Sequence, residues 1–183
     1  MKNTTQYIST YSSPIGELTL ASNGPCLTGV WFDGQKYFGS TLTNEYEQKS
    51  LPVFEQTKAW LNCYFSGKVP DFTPDLHLTG TPFRLEIWEI LKGIPYGKTV
   101  TYKEIAETIA LSKGLRSMSA QAVGNAVGHN PISILIPCHR VIGCNGSLTG
   151  YAGGIDRKIS LLTLEQADTS TLFFKSVSYT HLR

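Results

Sequence analysis

Segment 136–141 places three reactive side-chain types in consecutive positions. Pro137 ends an apolar stretch, and Cys138, His139 and Arg140 follow it directly. Cationic neighbours favour the thiolate form of a cysteine, which is its nucleophilic form. Adjacent side chains of an extended strand point to opposite faces, so Cys138 and His139 can cooperate only through a turn or a bridging water. Because a proline precedes them, we predict a turn that presents a cysteine nucleophile.

Two other interpretations fit the same residues. Cys138 can be an ordinary buried cysteine beside a surface histidine. Cys138, His139 and Cys144 can also form a metal site, although adjacent ligands are geometrically awkward and no fourth ligand is evident. The four cysteines, at positions 26, 63, 138 and 144, lack C-x-x-C spacing and do not indicate a disulfide framework.

The composition is that of a globular chain. Of the 183 residues, 41% are hydrophobic and 16% are charged, which excludes a highly charged disordered chain. No apolar run approaches the ~20 residues that span a bilayer, and the N-terminus lacks a secretory signal, so we expect a cytoplasmic protein without a membrane partner. Residues 80–167 carry nine Lys and Arg against six Asp and Glu. This basic excess neither requires nor excludes a nucleic-acid partner.

The first 79 residues have the pattern of a small α+β unit. Residues 6–34 predict three short strands separated by Pro- and Gly-containing turns. Helical spacing of apolar residues follows at 53–65, and residues 67–80 have the composition of a linker. Residues 35–50 are polar and predict no element.

The second part, residues 80–167, is predicted to be mostly helical. Thr81, Thr101 and Ser119 are each placed to cap the start of a helix, and Thr101-x-x-Glu104 has the spacing of a capping box. The last two of these helices flank Gly114 and predict a helix-turn-helix, with ordinary close helix packing as the alternative interpretation. Residues 131–137 predict a short buried strand or extended segment, and a final helix is expected over about 154–166.

Several separate motifs resemble one protein family. They are Asn130-Pro131-x-x-Ile134-Leu135-Ile136-Pro137-Cys138-His139-Arg140-Val141-Ile142-Gly143, Gly150-Tyr151-x-Gly153-Gly154, Leu161-Leu162-x-Leu164-Glu165, Gly97-Lys98-Thr99-Val100-Thr101-Tyr102 and Ala122-Val123-Gly124. In this order they resemble the O6-alkylguanine-DNA alkyltransferases, also called methylated-DNA–protein-cysteine methyltransferases. The resemblance is close over 80–167 and looser over 1–79, where Ser13-Pro14-Ile15-Gly16 and Trp60-Leu61-Asn62-x-Tyr64-Phe65 match.

The resemblance implies a role for each matching residue of the reaction centre. Cys138 would accept the alkyl group, His139 would act through a bound water as the base, and Glu165 would orient that imidazole. Asn130 would join the helix-turn-helix to the active-site turn. Tyr102 would donate a hydrogen bond to a ring nitrogen of the flipped guanine. These roles require the thiol to lie at the mouth of a cavity that can hold an everted purine.

The resemblance also implies how the base would be held. Tyr151 would pack on the guanine, backbone groups of Cys138 and Val141 would accept from its exocyclic amine, and the turn that contains Ala152 and Gly153 would donate to O6. The alkyl group arrives with the substrate, so no cofactor is expected. The expected partner is double-stranded DNA containing O6-alkylguanine, bound by a monomer.

Further residues are implied in contacts with the DNA itself. The second helix of the helix-turn-helix would enter the minor groove, where small residues such as Ala120 and Gly124 permit close approach. The expected phosphate contacts are Lys103, Lys113 and Arg116, with Arg140 as a further DNA-binding residue. Gln121 stands where the family commonly has an intercalating arginine, so either base flipping is less efficient or Arg116 takes over this role. Cys26 has no nearby histidine, so we predict no metal site.

The sequence therefore predicts an α/β (α+β) protein with a small N-terminal antiparallel sheet and helix (1–79), followed by a mostly helical domain (80–167). The predicted function is irreversible, stoichiometric transfer of an alkyl group from O6-alkylguanine, with O4-alkylthymine as a further candidate substrate, to Cys138 after base flipping. The alternatives are a non-catalytic sensor of alkyl lesions and a Cys-His thiol hydrolase. Within the tail (168–183), the last eight residues do not continue the family pattern, and we interpret them as a non-native remnant.

Overall fold

The N-terminal part is built on a four-stranded sheet. The computed structural model describes residues 5–148 and 150–173. Its strand order is β3-β2-β1-β4, in which β1 pairs antiparallel with β2, β2 pairs antiparallel with β3, and β4 pairs parallel with β1. The strands are β1 (Gln6–Ser13), β2 (Gly16–Ser22), β3 (Leu27–Phe32) and β4 (Tyr46–Gln48).

The three strands predicted within 6–34 are confirmed, but the sheet is not purely antiparallel. The parallel edge strand β4 lies in the polar segment for which the sequence predicted no element. All three of its residues are exposed, so it carries no hydrophobic alternation that could signal a strand. The side chain of Gln6 holds the preceding loop in place, because it donates to the carbonyl of Thr41 and accepts from the amide of Thr43.

Five α-helices complete the described fold. They are α1 (Pro52–Phe65), α2 (Pro82–Lys92), α3 (Tyr102–Ser112), α4 (Ala120–Gly128) and α5 (Ile155–Leu164). The three predicted caps are confirmed, since Thr81, Thr101 and Ser119 each accept a hydrogen bond from a backbone amide of the first turn. The capping box is complete, because Glu104 accepts from the amide of Thr101 in return.

The predicted strand over 131–137 is wrong, although the segment is buried as expected. Ile132 forms a single parallel bridge with Val30 of β3, and the chain then turns. Ile134 has a φ of 71°, a left-handed conformation that no regular strand contains. The side chain of Asn130 supplies the hydrogen bonds that stabilise these turns in place of a strand ladder.

Both parts of the chain contribute to one hydrophobic core. Leu20 and Phe54 from the first part and Ile87 and Ile136 from the second belong to the same buried cluster. The segment predicted as a linker is attached to the sheet, since the amide of Leu27 donates to Asp75 and its carbonyl accepts from His77. Cys138 belongs to the same cluster, so residues from both parts surround the candidate nucleophile.

The last predicted helix is somewhat shorter than expected, at 155–164. Of the tail, residues 168–173 are described, and Phe173 forms a parallel bridge with Ser147. The interpretation of the last eight residues as non-native concerns positions outside the described part of the chain. Within that part, no helix has the length and apolar character needed to cross a membrane.

Candidate active site

The predicted turn after Pro137 is present. Residues Cys138–Arg140 form a single 3₁₀ turn, closed by a hydrogen bond from the amide of Arg140 to the carbonyl of Pro137. A short parallel pair follows, between β5 (Val100–Thr101) and β6 (Val141–Ile142). The pair fixes the start of α3, which carries Tyr102, beside the end of the cysteine turn.

Asn130 shapes the approach to this turn. Its amide nitrogen donates to the carbonyls of Ile132 (3.3 Å) and Ile136 (2.8 Å), and its amide oxygen accepts from the backbone of Ile132 (3.0 Å). Burial raises the pKa of the Cys138 thiol, and the side chain of Asn130 acts in the opposite direction. Asn130 lies two residues beyond the end of α4, so it connects the helix-turn-helix with the cysteine, as the resemblance implied.

His139 and Glu165 are in direct contact although 26 residues separate them. His139 Nε2 lies 2.7 Å from Glu165 Oε1, and both side chains are completely buried. Burial raises the pKa of Glu165, but hydrogen bonds from His139 and Arg140 outweigh that effect and hold the pKa well below its ordinary value. The group is therefore an ionised carboxylate that accepts hydrogen bonds.

This contact fixes the tautomer of the imidazole. A carboxylate has no proton to donate, so Nε2 of His139 must carry the hydrogen and Nδ1 keeps its lone pair. Nδ1 is buried and has no hydrogen-bond partner among residues 5–148 and 150–173. Burial lowers the pKa of His139, which favours the neutral form that can accept a proton.

Cys138 is buried rather than placed at the mouth of a cavity. Only 6% of the residue is exposed, and burial raises the pKa of its thiol, partly offset by Asn130 and Lys158. The neighbouring cavity, of about 660 Å³, is lined by Tyr102, among others. Burial, and to a smaller extent the charge of a Cys138 thiolate, raises the pKa of Tyr102 to about 12. The tyrosine hydroxyl is therefore protonated at neutral pH.

Two of the residues predicted to hold the base, Tyr151 and Gly153, pack against each other. Tyr151 is buried, and its hydroxyl has no hydrogen-bond partner within the described chain. A Cβ atom at Gly153 would lie 2.7 Å from the Tyr151 ring, so only glycine permits this packing. The carbonyl of Val141 accepts a hydrogen bond from Lys158 at 2.5 Å.

The helix-turn-helix presents the predicted DNA-contact residues at the surface. Ala120, Gln121 and Gly124 of α4 line the cavity of about 660 Å³ together with Lys103 of α3. Gln121 and Arg116 are exposed, and the other cations are exposed but paired. Lys113 lies 3.0 Å from Glu86, and Lys103 lies 3.9 Å from Glu107.

Arg140 does not suit the DNA contact predicted for it. Its guanidinium is nearly buried, donates through Nε and Nη2 to the two oxygens of Glu165, at 2.8 Å each, and donates through Nη1 to the carbonyl of Ile94. The paired carboxylate neutralises the charge that a phosphate would need. Arg140 belongs to the support of Glu165 instead.

The whole of this architecture matches known proteins. Residues 82–167 match the family described as 6-O-methylguanine DNA methyltransferase, DNA binding domain, and residues 6–78 match its ribonuclease-like domain. The methylated-DNA–protein-cysteine methyltransferase of Mycobacterium tuberculosis (strain ATCC 25618 / H37Rv) is 45% identical over 158 residues, which cover 86% of this chain and 91% of the relative. The chain belongs to this methyltransferase family.

Two further comparisons agree with the assignment. The family member from Haemophilus influenzae is 40% identical over 164 residues, which cover 89% of this chain and 88% of the relative. The crystal structure of Mycobacterium tuberculosis OGT in complex with DNA superposes with a TM-score of 0.76 at 43% identity, covering 91% of this chain and 99% of that one.

For this member of the methyltransferase family, sequence reasoning missed one buried cation. Lys158 on α5 is fully buried, and burial lowers its pKa to about 8, against an opposing effect of Cys138. Its spacing from Ile155 and Leu162 placed it on the apolar face, a signal that the sequence contained. No group of three or more His, Cys, Asp or Glu side chains in the described ranges could hold a metal ion.

Proposed function

We propose that this protein repairs alkylated DNA by moving the alkyl group from O6 of guanine onto the sulfur of Cys138. The family assignment supports DNA repair by transfer to a cysteine, and the relative crystallised with DNA supports DNA as the partner. The observation that carries the choice of residue is the contact between His139 and Glu165, which directs the free lone pair of the imidazole away from the carboxylate.

The chemistry is a displacement at the alkyl carbon. The Cys138 thiolate attacks that carbon, an S–C bond forms, and the C–O6 bond breaks with its electron pair going to guanine. His139 takes the thiol proton at Nδ1, through a water molecule, and the proton is returned to guanine as the leaving group becomes neutral. The protonated hydroxyl of Tyr102 is a suitable donor to a ring nitrogen of guanine.

Electrostatics of the site support both halves of this step. Lys158 and Asn130 favour the thiolate of Cys138 and act against the cost of burying it. Donors that neutralise the charge developing on guanine are typically worth about 2.7–4 kcal/mol of barrier each. Such donors act most strongly in a buried site, where water does not screen them.

The substrate base must leave the double helix to reach Cys138, at a cost of a few kcal/mol. The small residues Ala120 and Gly124 permit α4 to approach a groove closely, and the adjacent cavity lies between that helix and the Tyr102 side chain. Because Cys138 is 6% exposed, binding of the everted base must also open the way to the sulfur. We propose that Gln121 fills the vacated position in the stack.

The product is a thioether, which the imidazole and carboxylate of the site cannot hydrolyse. Each molecule therefore acts once, and we propose that it does so as a monomer and without a cofactor. We propose O6-alkylguanine in double-stranded DNA as the substrate and the cytoplasm as the location, as predicted from the sequence.

Intact-mass spectrometry after incubation with duplex DNA that contains O6-methylguanine tests the proposal. We expect one added methyl group per protein molecule, located on Cys138, and no further turnover. The Cys138→Ala variant should gain no mass but should retain DNA binding, because phosphate contacts on other elements provide the affinity. Equal loss of binding and transfer in that variant would contradict the assignment.

The same experiment separates the two alternatives. A thiol hydrolase would release an acid or amine over many cycles and leave the protein mass unchanged. A lesion sensor would bind the modified duplex selectively without any change in mass.

A further inference from the structure

Tyr64, a residue of α1 in the N-terminal part, is bonded to the carboxylate of the active site. Its hydroxyl donates to Glu165 Oε1 at 2.7 Å, and the tyrosine is completely buried. The same oxygen accepts from His139 Nε2, also at 2.7 Å. Tyr64 and His139 thus bind the same carboxylate oxygen, which links the N-terminal part to the imidazole.

The tyrosine ring is held by aromatic neighbours on three sides. It stacks on Trp60 with ring centroids 5.3 Å apart and an interplanar angle of 9°. The rings of Phe65 and Tyr96 meet it edge-on, at 5.3 Å and 6.1 Å. A ring packed in this way has little rotational freedom, so the position of its hydroxyl is set before any substrate binds.

Glu165 is fully occupied by donors. Oε1 accepts from Tyr64, His139 and Arg140, and Oε2 accepts from Arg140 (2.8 Å) and from the backbone amide of Gly97 (3.1 Å). Each donor takes part of the negative charge that would otherwise act on the imidazole. A carboxylate with fewer donors would raise the pKa of His139 and so favour its protonated form, which cannot accept the thiol proton.

We propose that Tyr64 is a positioning residue for alkyl transfer, whose hydroxyl holds Glu165 Oε1 against His139 and shares the negative charge of that oxygen. The inference rests on the proposed function of Cys138. Although the N-terminal part supplies no reacting atom, this role would let it influence the orientation and the pKa of His139 through Glu165. The other titratable or charged groups around His139 and Glu165 are Arg140, Lys158, Cys138, Tyr96 and Tyr151.

The substitution Tyr64→Phe tests this role, because it removes the hydroxyl and keeps the ring. We expect the pKa of His139, followed by NMR of the labelled imidazole, to rise by about half to one unit, since Glu165 then acts on the imidazole with one donor fewer. The acid limb of the rate of methyl transfer in a single turnover should move to higher pH by the same amount. Below that midpoint the rate should fall about three- to tenfold.

Tyr11→Phe is the matched control. Like the Tyr64 hydroxyl, the Tyr11 hydroxyl donates a 2.7 Å hydrogen bond, in this case to Oδ1 of Asn62 on α1. This bond involves neither Glu165 nor His139. We expect this variant to leave the pKa of His139 and the pH profile unchanged. Incorporating 3-fluorotyrosine at position 64 provides an opposite test, because a more acidic hydroxyl is a stronger donor and should lower the pKa of His139.

The outcomes are distinct. An unchanged pKa of His139 in both position-64 proteins, even with reduced resistance to urea, would overturn the proposal and leave Tyr64 a purely structural residue. The NMR titration needs no substrate, so it still decides the role of Tyr64 if the wild-type protein transfers no methyl group. That last result would count against the proposed function alone.

Discussion

The ammonium group of Lys158 donates a 2.5 Å hydrogen bond to the carbonyl oxygen of Val141. This bond ties α5 to the strand that leaves the cysteine turn and places a fully buried cation near Cys138. Burial of an ammonium is costly, and it lowers the pKa of Lys158 to about 8. Burial of Lys158 thus lowers the free energy of unfolding, while its charge favours the thiolate of Cys138.

The cost of this buried cation can be measured through pH. The ordinary pKa of a lysine is 10.5, and burial lowers that of Lys158 to about 8 in the folded protein. Between these values only the unfolded chain binds the proton, so the free energy of unfolding should rise with pH across this window. Relative to Lys158→Met, the wild type should gain up to about 3 kcal/mol between pH 8 and 10.5.

Urea denaturation at a series of pH values measures this difference. Lys98→Met, at an exposed position, is the control, and its free energy of unfolding should follow that of the wild type over this pH range. The Lys158→Met protein should also transfer methyl groups more slowly at neutral pH, by about tenfold, because the thiol pKa rises. Parallel stability curves for wild type and Lys158→Met would contradict the prediction.

Glu165→Gln should destabilise the protein strongly. The substitution leaves the Arg140 guanidinium buried without its counter-charge, which typically costs about 3–5 kcal/mol at neutral pH. In the wild type the pKa of Glu165 is lowered, so its contribution is present above the ordinary value of 4.5 and is lost as the pH falls through the lower folded value.

The measurement is the urea midpoint of wild type and variant from neutral pH down into the acid range, where the two curves should converge. Glu89→Gln is the control, since Glu89 forms an exposed pair with Lys92 and its loss should cost at most about 1 kcal/mol. A variant as stable as wild type at pH 7 would show that the buried network contributes little.

Gln121→Arg should accelerate repair of duplex DNA without changing the reaction with the free base O6-methylguanine. Gln121 is exposed on α4 and lines the cavity beside Tyr102. An arginine there adds a cation near phosphate and a planar group that stacks in the vacated space, so we expect a gain of about three- to tenfold in duplex rate. Equal effects on both substrates would mean that this position does not assist flipping.

Local signals in the sequence predicted most of the helical part. The caps at Thr81, Thr101 and Ser119 were predictable because a hydroxyl side chain satisfies amides only one to three residues away. The turn at Cys138 followed from Pro137 in the same local way. Tyr64 and Glu165 meet across 101 residues of sequence, and no local pattern reports such a contact.

The errors have equally specific causes. The apolar run 131–137 resembles a strand in composition, but Asn130 replaces the ladder with side-chain hydrogen bonds and Ile134 turns the chain. Arg140 has the residue type of a phosphate contact, whereas its position opposite Glu165 is set by tertiary structure. The strand β4 has only exposed residues, so burial could not reveal it.

The backbone of Val30 exchanges hydrogen bonds with the segment that leads to Cys138, since its amide donates to Pro131 (2.8 Å) and its carbonyl accepts from Ser133 (2.9 Å). The two parts of the chain are therefore joined by backbone hydrogen bonds as well as by the shared hydrophobic core. A chimaera that joins the sheet of one relative to the helices of another would have to preserve this backbone register, or the grafted half would misalign the nucleophile.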